Sequence, residues 1–496
     1  DLQVKQADAQ AIVFGGEHAI LDDYAGRDAI LAKLHDAFGA GVEALAGPQA
    51  RAGIERDGLR SLHKHFPVEK VRLLEDFIQK RIRDDLYYWA YEVGHDTIGL
   101  ADPFYVDMLI VLRIHYPQLV ARVGGKEELP ATDWEERLRL IKAGVRRPSI
   151  FLNQVTRRIR KRAKIAAHQI EFDADSYHGD LPSLARSHGP HIDTWYGHSY
   201  DGFNVWLSID GVNTGNTVIL YPELFGNRVD YDPKSMYLAP GINLPAPTKV
   251  DLKPGQLLLF NPEMLHGTHV NISDDTRVAL TMRINPNAPR FNDNAPFNAE
   301  HWYSSPALAR RDFADITLFP ADKFHGEPSV GQTPVPADPH TRHLTLAEAP
   351  AASGETRLCA TADLPAGDKL AVDGPGLKLL LVRSPEGLRA YDRRCPHRMV
   401  DLADGHHDAT QIFCPGHGIA FSLTDGKSAC DAFKLRSYRV TERDGAIWLV
   451  RGVAAAEATA DASAWHGEPA ACTAAAGRPI AGRTRHDLLS AMQFRR

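Results

Sequence analysis

The chain has 496 residues, 44% of them hydrophobic, with 57 basic and 63 acidic side chains for a formal net charge of −6. At roughly 150 residues per domain this allows about three domains and a substantial core. The near-balanced charge excludes a bulk nucleic-acid or membrane-surface binder. No apolar run nears the ~18 residues of a membrane helix. Five cysteines are too few, and odd in number, for a disulfide scaffold. A cytoplasmic, reducing setting is therefore expected, and 23 histidines leave metal binding open.

Residues 1–149 read as a helical N-terminal region packing on the domain after it. Its clearest stretch starts at Pro67 and continues through Val68, Val71, Leu74, Ile78, Ile82, Leu86 and Trp89 at spacings of three and four. Shorter helical patterns cover 28–38, 103–112 and 133–141. After Arg147 the period falls to two, with Ile170, Phe172 and Ala174 alternating with acidic residues. In the basic run 157–164, six of eight residues are positive. It reads as a solvated face before a docking surface for an acidic reductase or an anionic substrate. Strands are expected at 203–209, 217–221, 256–260 and 277–284, separated by turns such as Pro254-Gly255. Many short strands with polar turns predict a sandwich or jelly roll over 150–322. A Pro-rich linker follows at 323–352. Short strands resume at 378–382, 388–391 and 447–450 within a domain at 353–453, before an Ala-rich tail at 454–496.

The strongest local signal is Cys395-Pro-His397, sixteen residues, then Cys414-Pro-Gly-His417. Each loop offers one thiolate and one imidazole, so two cysteines can hold one iron and two histidines the other. A zinc site would more often pair Cys with Cys and His with His. The pattern resembles the Rieske [2Fe-2S] domain family over roughly 353–453, with Cys395, His397, Cys414 and His417 as the implied ligands. In the cytochrome-complex members a disulfide links the two loops. Val400 and Gly416 stand at those positions, so the resemblance is to the oxygenase or ferredoxin type. Cys359, Cys430 and Cys472 read as buried or incidental thiols.

Such a cluster moves electrons singly and does not bind substrate, so a second site is expected. Asp175-Ser-Tyr-His178 begins the Asp-x2-His-x4-His pattern of Rieske oxygenases but lacks the last histidine. His-x-Asp occurs at 178/180, 191/193 and 406/408. Context favours His191 and Asp193, which share a face if extended, with His266 supplying a third ligand and one side of an iron left open. His198 and His269 read as supporting or surface groups.

The run from 150 to 290 resembles the phytanoyl-CoA dioxygenase-like Fe(II)/2-oxoglutarate oxygenases. That resemblance implies a double-stranded β-helix with His191, Asp193 and His266 on Fe(II). Arg277, eleven residues after His266, would bind the distal carboxylate of 2-oxoglutarate, helped by Thr281 and Arg283 on the same strand face. Trp195, Tyr196, Asn204, Trp206 and Arg283 are candidate substrate residues.

The expected whole is multidomain: a helical N-terminal region, a jelly roll, then an all-β Rieske domain. The leading functional expectation is a 2-oxoglutarate-dependent, O2-using dioxygenase that hydroxylates a small molecule, with a fused electron-transfer domain. A second is an oxygenase fed through the cluster by an external reductase or ferredoxin, without 2-oxoglutarate. A third is a non-enzymatic redox-sensing binding protein. Analogy with Rieske oxygenases, which pass electrons between subunits, implies a homo-oligomer.

Overall fold

The computed structural model describes residues 6–117, 189–231, 238–239, 241–292, 300–328, 331, 333–335, 338–351, 353–396, 400–428 and 433–451. The basic run 157–164, the 133–141 and 170–175 patterns, His178, His397, Cys430, Cys472 and the 454–496 tail lie outside the described residues.

The N-terminal region is helical: α1 (Gln6–Phe14), α2 (Arg27–Ala46), α3 (Pro48–Asp57), α4 (Leu62–His65), α5 (Val71–Arg81) and α6 (Arg83–Glu92). The long stretch expected from Pro67 is broken at Ile82, whose φ of −118° and ψ of 21° leave the helical region. The strands of the middle region are β1 (Ala19–Leu21), β2 (Tyr105–Asp107), β3 (Val111–His115), β4 (Phe203–Ser208), β5 (Val218–Leu220), β6 (Asn227–Arg228), β7 (Thr248–Lys249), β8 (Leu257–Phe260), β9 (His266–Thr268), β10 (Arg277–Asn285), β11 (His301–Ser304) and β12 (Thr317–Leu318). A short helix α7 (Ser305–Ala309) follows β11. The expected helix at 103–112 is instead β2 and β3. Asp107 Oδ1 accepts from Leu109 N and turns the chain between them, and the β-branched Val111 and Ile114 pair with β10.

The larger sheet has the order β1-β8-β4-β10-β2-β11-β12, with β3 also on β10. The smaller sheet is β7-β5-β9. The nine-residue β10 organises both sides of the larger sheet. Val278, Leu280, Met282 and Ile284 join one buried core with Leu34, Phe38, Leu74 and Ile78 of the helices. Arg277, Ala279, Thr281 and Arg283 point the other way by strand alternation. There Ala279, Trp206, Leu258 and Phe260 meet Val218 and Leu220 of the smaller sheet.

The C-terminal strands are β13 (Thr333–Pro334), β14 (Thr341–Thr345), β15 (Gly354–Ala360), β16 (Lys369–Gly374), β17 (Leu377–Ser384), β18 (Gly387–Asp392), β19 (Gln411–Phe413), β20 (Ala420–Ser422), β21 (Arg439–Arg443) and β22 (Ala446–Arg451). They form a β14-β16-β17-β18 sheet, a β15-β22-β21 sheet and a β19–β20 hairpin. The chain is therefore multidomain, with a helical N-terminal region and a β-rich C-terminal domain. The stretch read as a linker is tied to both sides, because β13 pairs with β6 and β14 pairs with β16. Extended Pro-rich backbone suits such edge additions. Among the described residues no helix is long and apolar enough to cross a membrane.

Leu280→Ala should destabilise the protein by about 2–5 kcal/mol, because its side chain is buried in the core shared by helices and sheet. Leu318→Ala, at a position 40% exposed, should shift stability by no more than about 0.5 kcal/mol. Denaturant midpoints check both, and equal effects would contradict the shared core.

Candidate metal centre

His191 and His266 form an antiparallel bridge, each backbone N–H bonding the other's carbonyl at 2.8 and 2.9 Å. Asp193 N then bonds Pro262 O at 3.1 Å. The next residues do not continue in the extended form. Asp193–Tyr196 is one turn of 3-10 helix, closed by Gly197 at φ 92°. That left-handed position suits glycine. The turn folds the Asp193 carboxylate back toward the two histidines.

One ligand atom from each of His191, Asp193 and His266 lies within 4.8 Å of the others. Asp193 Oδ1 is 3.6 Å from His191 Nε2 and 3.7 Å from His266 Nε2. Nδ1 of His191 bonds Gly189 O at 2.7 Å, and Nδ1 of His266 bonds Met264 O at 2.9 Å. Carbonyls only accept, so each Nδ1 carries the proton and each Nε2 presents a lone pair to the centre. Burial, then His191, pushes the His266 imidazole down to about 4, which keeps it neutral. Burial pushes the Asp193 carboxyl up, but opposing interactions led by the Arg283 guanidinium hold it well below the usual range. Both Nε and Nη2 of Arg283 contact Asp193 Oδ2 at 2.9 Å. One carboxylate oxygen is thus clamped, leaving Oδ1 facing the imidazoles. Two neutral imidazoles and a carboxylate suit a divalent first-row metal.

The other expected site residues separate. Arg283 holds Asp193 and is not free for substrate. Tyr196 meets His191 edge-on, with ring centroids 5.1 Å apart. Trp195 stacks on Tyr231 at 4.4 Å and lines a cavity of about 260 Å³ that none of His191, Asp193 and His266 borders. Asn204 and Trp206 lie on the inner face of β4, opposite Arg283 and Thr281. Thr281 Oγ1 donates to Val111 O at 3.4 Å. Arg277 is 2% exposed; Nη1 donates to Asn216 O at 2.9 Å, and Nη2 lies 2.8 Å from His115 Nδ1. Among the described residues no carboxylate pairs with Arg277, and burial, then Arg113, pushes its guanidinium down to about 9. Arg277 Nε, Asn204 Nδ2 and Ser208 Oγ are buried without a hydrogen-bond partner in the described structure. His198 Nδ1 is 3.5 Å from Asp107 Oδ2. His198 and His269 are both buried, so neither is a surface group. The clamp by Arg283 was missed in the sequence, although its place on the Arg277 face was readable.

In the C-terminal domain Cys395, Cys414 and His417 are all buried to 1% exposure. The Cys414 thiol is held below its ordinary value by Cys395 and by the amides of Gly416 and His417, against burial, which opposes it. That favours the thiolate an iron needs. Val400 and Gly416 face each other: a Cβ on Gly416 would lie 2.9 Å from Val400 Cγ2.

Residues 354–438 match the family model described as the Rieske [2Fe-2S] domain. The C-terminal domain is a Rieske [2Fe-2S] domain. The matched span contains both Cys/His loops. The chain is 28% identical over 156 residues to a cholesterol 7-desaturase of Bombyx mori, covering 30% of this chain and 34% of that protein. It is 35% identical over 86 residues to the oxygenase component of dicamba O-demethylase of Stenotrophomonas maltophilia, covering 15% of this chain and 24% of that protein. The chain thus spans about a third or less of these relatives. A ferredoxin of Sphingomonas yanoikuyae B1 aligns in structure at 29% identity, over 20% of this chain and 98% of the ferredoxin, with a TM-score of 0.19.

Arg283→Met strands a buried carboxylate. Losing such a supporting partner costs roughly 10–100-fold in metal affinity. Chelator competition for Fe(II) should show this loss, with the visible absorption of the cluster unchanged. Wild-type affinity in the variant would show that the clamp does not support the metal.

Proposed function

We propose that the chain is a non-haem iron oxygenase that oxidises a small molecule with O2 and carries its own Rieske electron-transfer domain. The observation that carries this reading is the convergence of His191 Nε2, His266 Nε2 and Asp193 Oδ1 on one point, with every other polar atom of those side chains held by the protein or turned away. Cys395, His397, Cys414 and His417 are the proposed cluster ligands. The proposed fold of the middle region is a double-stranded β-helix. Its support is a β10 inner face and a β5–β9 layer that share one core.

The finer reading is dependence on 2-oxoglutarate. Its support is Arg277, a fully buried cation without a carboxylate partner in the described structure. Arg277 Nε, Ser208 Oγ and Asn204 Nδ2 belong to inward-facing residues of β10 and β4 and lack partners. Buried polar atoms are ordinarily satisfied, and the oxygens of a small dicarboxylate would satisfy these. With 2-oxoglutarate bound, ferrous iron supplies O2 activation, and the overall reaction converts 2-oxoglutarate, O2 and substrate to succinate, CO2 and hydroxylated product.

The protein's own residues do the rest. Arg283 fixes which carboxylate oxygen faces the metal, Gly189 and Met264 fix the imidazole tautomers, and Tyr196 covers one side of His191. A second reading, in which electrons from the cluster replace 2-oxoglutarate, is favoured by the similarity to an oxygenase component and by the contact between the Rieske loop and the middle region. That second reading needs an external one-electron donor for the cluster, whereas the 2-oxoglutarate reaction as written consumes no external electrons.

Isothermal titration of 2-oxoglutarate onto the anaerobic Fe(II)-loaded chain should show binding, weakened at least about tenfold in Arg277→Leu, as expected for one lost charge-assisted pair. Product formed from reductant and O2 without 2-oxoglutarate would overturn the finer reading and select the second.

A further inference from the structure

We infer that this chain wires its Rieske domain to the mononuclear site in cis, through the single strand layer β5–β9, with His269 as the positioning contact. The inference rests on the proposed iron at His191, Asp193 and His266, and it holds for either reading of the O2 chemistry.

Strand alternation puts the two centres on opposite faces of one layer. On β9, His266 faces inward, Gly267 outward and Thr268 inward; the outward face is reached again at His269, whose N–H bonds Thr217 O at 3.0 Å. On β5, Val218 and Leu220 join the inner core, whereas Ile219 and, just past the strand, Tyr221 belong to the outer one. The Rieske loop covers that outer face. A Cβ on Gly418, the residue after His417, would lie 3.2 Å from Ile219 Cδ1 and 3.5 Å from His269 Cδ2. Gly418 sits at φ 69°, a left-handed position that favours glycine, and a Cβ there would crowd the tip of Ile219. Tyr221 lies within electrostatic reach of the Cys414 sulfur. Val270 packs in one core with Cys395, Cys414 and Ile419.

His269 is completely buried, and its Nδ1 bonds the Val270 carbonyl, which fixes the ring. The opposite ring edge meets Gly418. From His269 to His266 is three residues, about 10 Å of extended chain. His266, Gly267 and His269 are buried and Thr268 is half-buried, and tunnelling through bonded atoms falls off far less than through a solvent gap.

The step balances without bond changes. One electron leaves the reduced cluster, which returns to its oxidised form, and a ferric ion at the triad becomes ferrous. No proton moves. A reduced ferredoxin or flavoprotein restores the cluster.

The test uses the full chain holding both centres, with the mononuclear iron made ferric under anaerobic conditions and the cluster reduced by limiting dithionite. The ferric EPR signal and the visible absorption of the cluster report the transfer. The rate should be independent of protein concentration. It should be absent when Cys414→Ser chains, which keep only the iron, are co-purified with His266→Ala chains, which keep only the cluster. His269→Leu should slow transfer at least tenfold with iron and sulfide contents unchanged. A rate proportional to concentration, or full transfer in the mixed chains, would overturn the cis path. An unchanged rate in His269→Leu would remove His269 from it. Full mononuclear iron retained in His266→Ala would instead sink the site assignment, leaving the two failures distinguishable.

Discussion

Two reciprocal backbone hydrogen bonds between His191 and His266 hold the middle of this molecule together. They join segments 75 residues apart in sequence and set two imidazoles with ring centroids 4.5 Å apart. The 3-10 turn that starts at Asp193 can then aim its carboxylate at both rings. Arg283, arriving on β10, neutralises that buried charge. Removing either the bridge or the arginine would leave a desolvated carboxylate with no reason to stay in place. The register of β10 against β4 follows the same logic, since it places Arg283 opposite Asn204 at the centre and Arg277 six residues away along the same inner face.

The layer carrying His266 has a second role by virtue of being thin. Its inner face belongs to the candidate iron centre, and its outer face is covered by the loop holding Cys414, His417 and Gly418. A sheet only one strand thick separates the two chemistries. The Pro-rich segment keeps them in register by adding β13 beside β6 and β14 beside β16, so the domains are laced together along their connection as well as at the loop.

Much of this was readable from residues alone, where a chemical pattern is local. Two loops that each pair a thiol with an imidazole identify the C-terminal domain without any fold. His191 and Asp193 stand two apart and do meet, but only His191 adopts the extended form expected of it, and the 3-10 turn at Asp193 is what brings the carboxylate to the rings. What escaped depended on long-range pairing. The 103–112 stretch has helical spacing, but its β-branched residues find a partner in β10, and pairing decides the outcome. Arg277 and Arg283 share one face, and nothing in their spacing tells which meets the carboxylate. The contact of Gly418 with Ile219 and His269 leaves no periodic signal, because an interface built on a missing side chain has no pattern to read.

Whether one chain holds two separate iron centres is decided most directly by counting iron and acid-labile sulfide per chain, after anaerobic Fe(II) loading of the full-length protein. Three irons for two sulfides are expected, falling to two irons for two sulfides in His266→Ala with the cluster absorption intact. Two irons for two sulfides in the loaded wild-type chain would contradict a second centre.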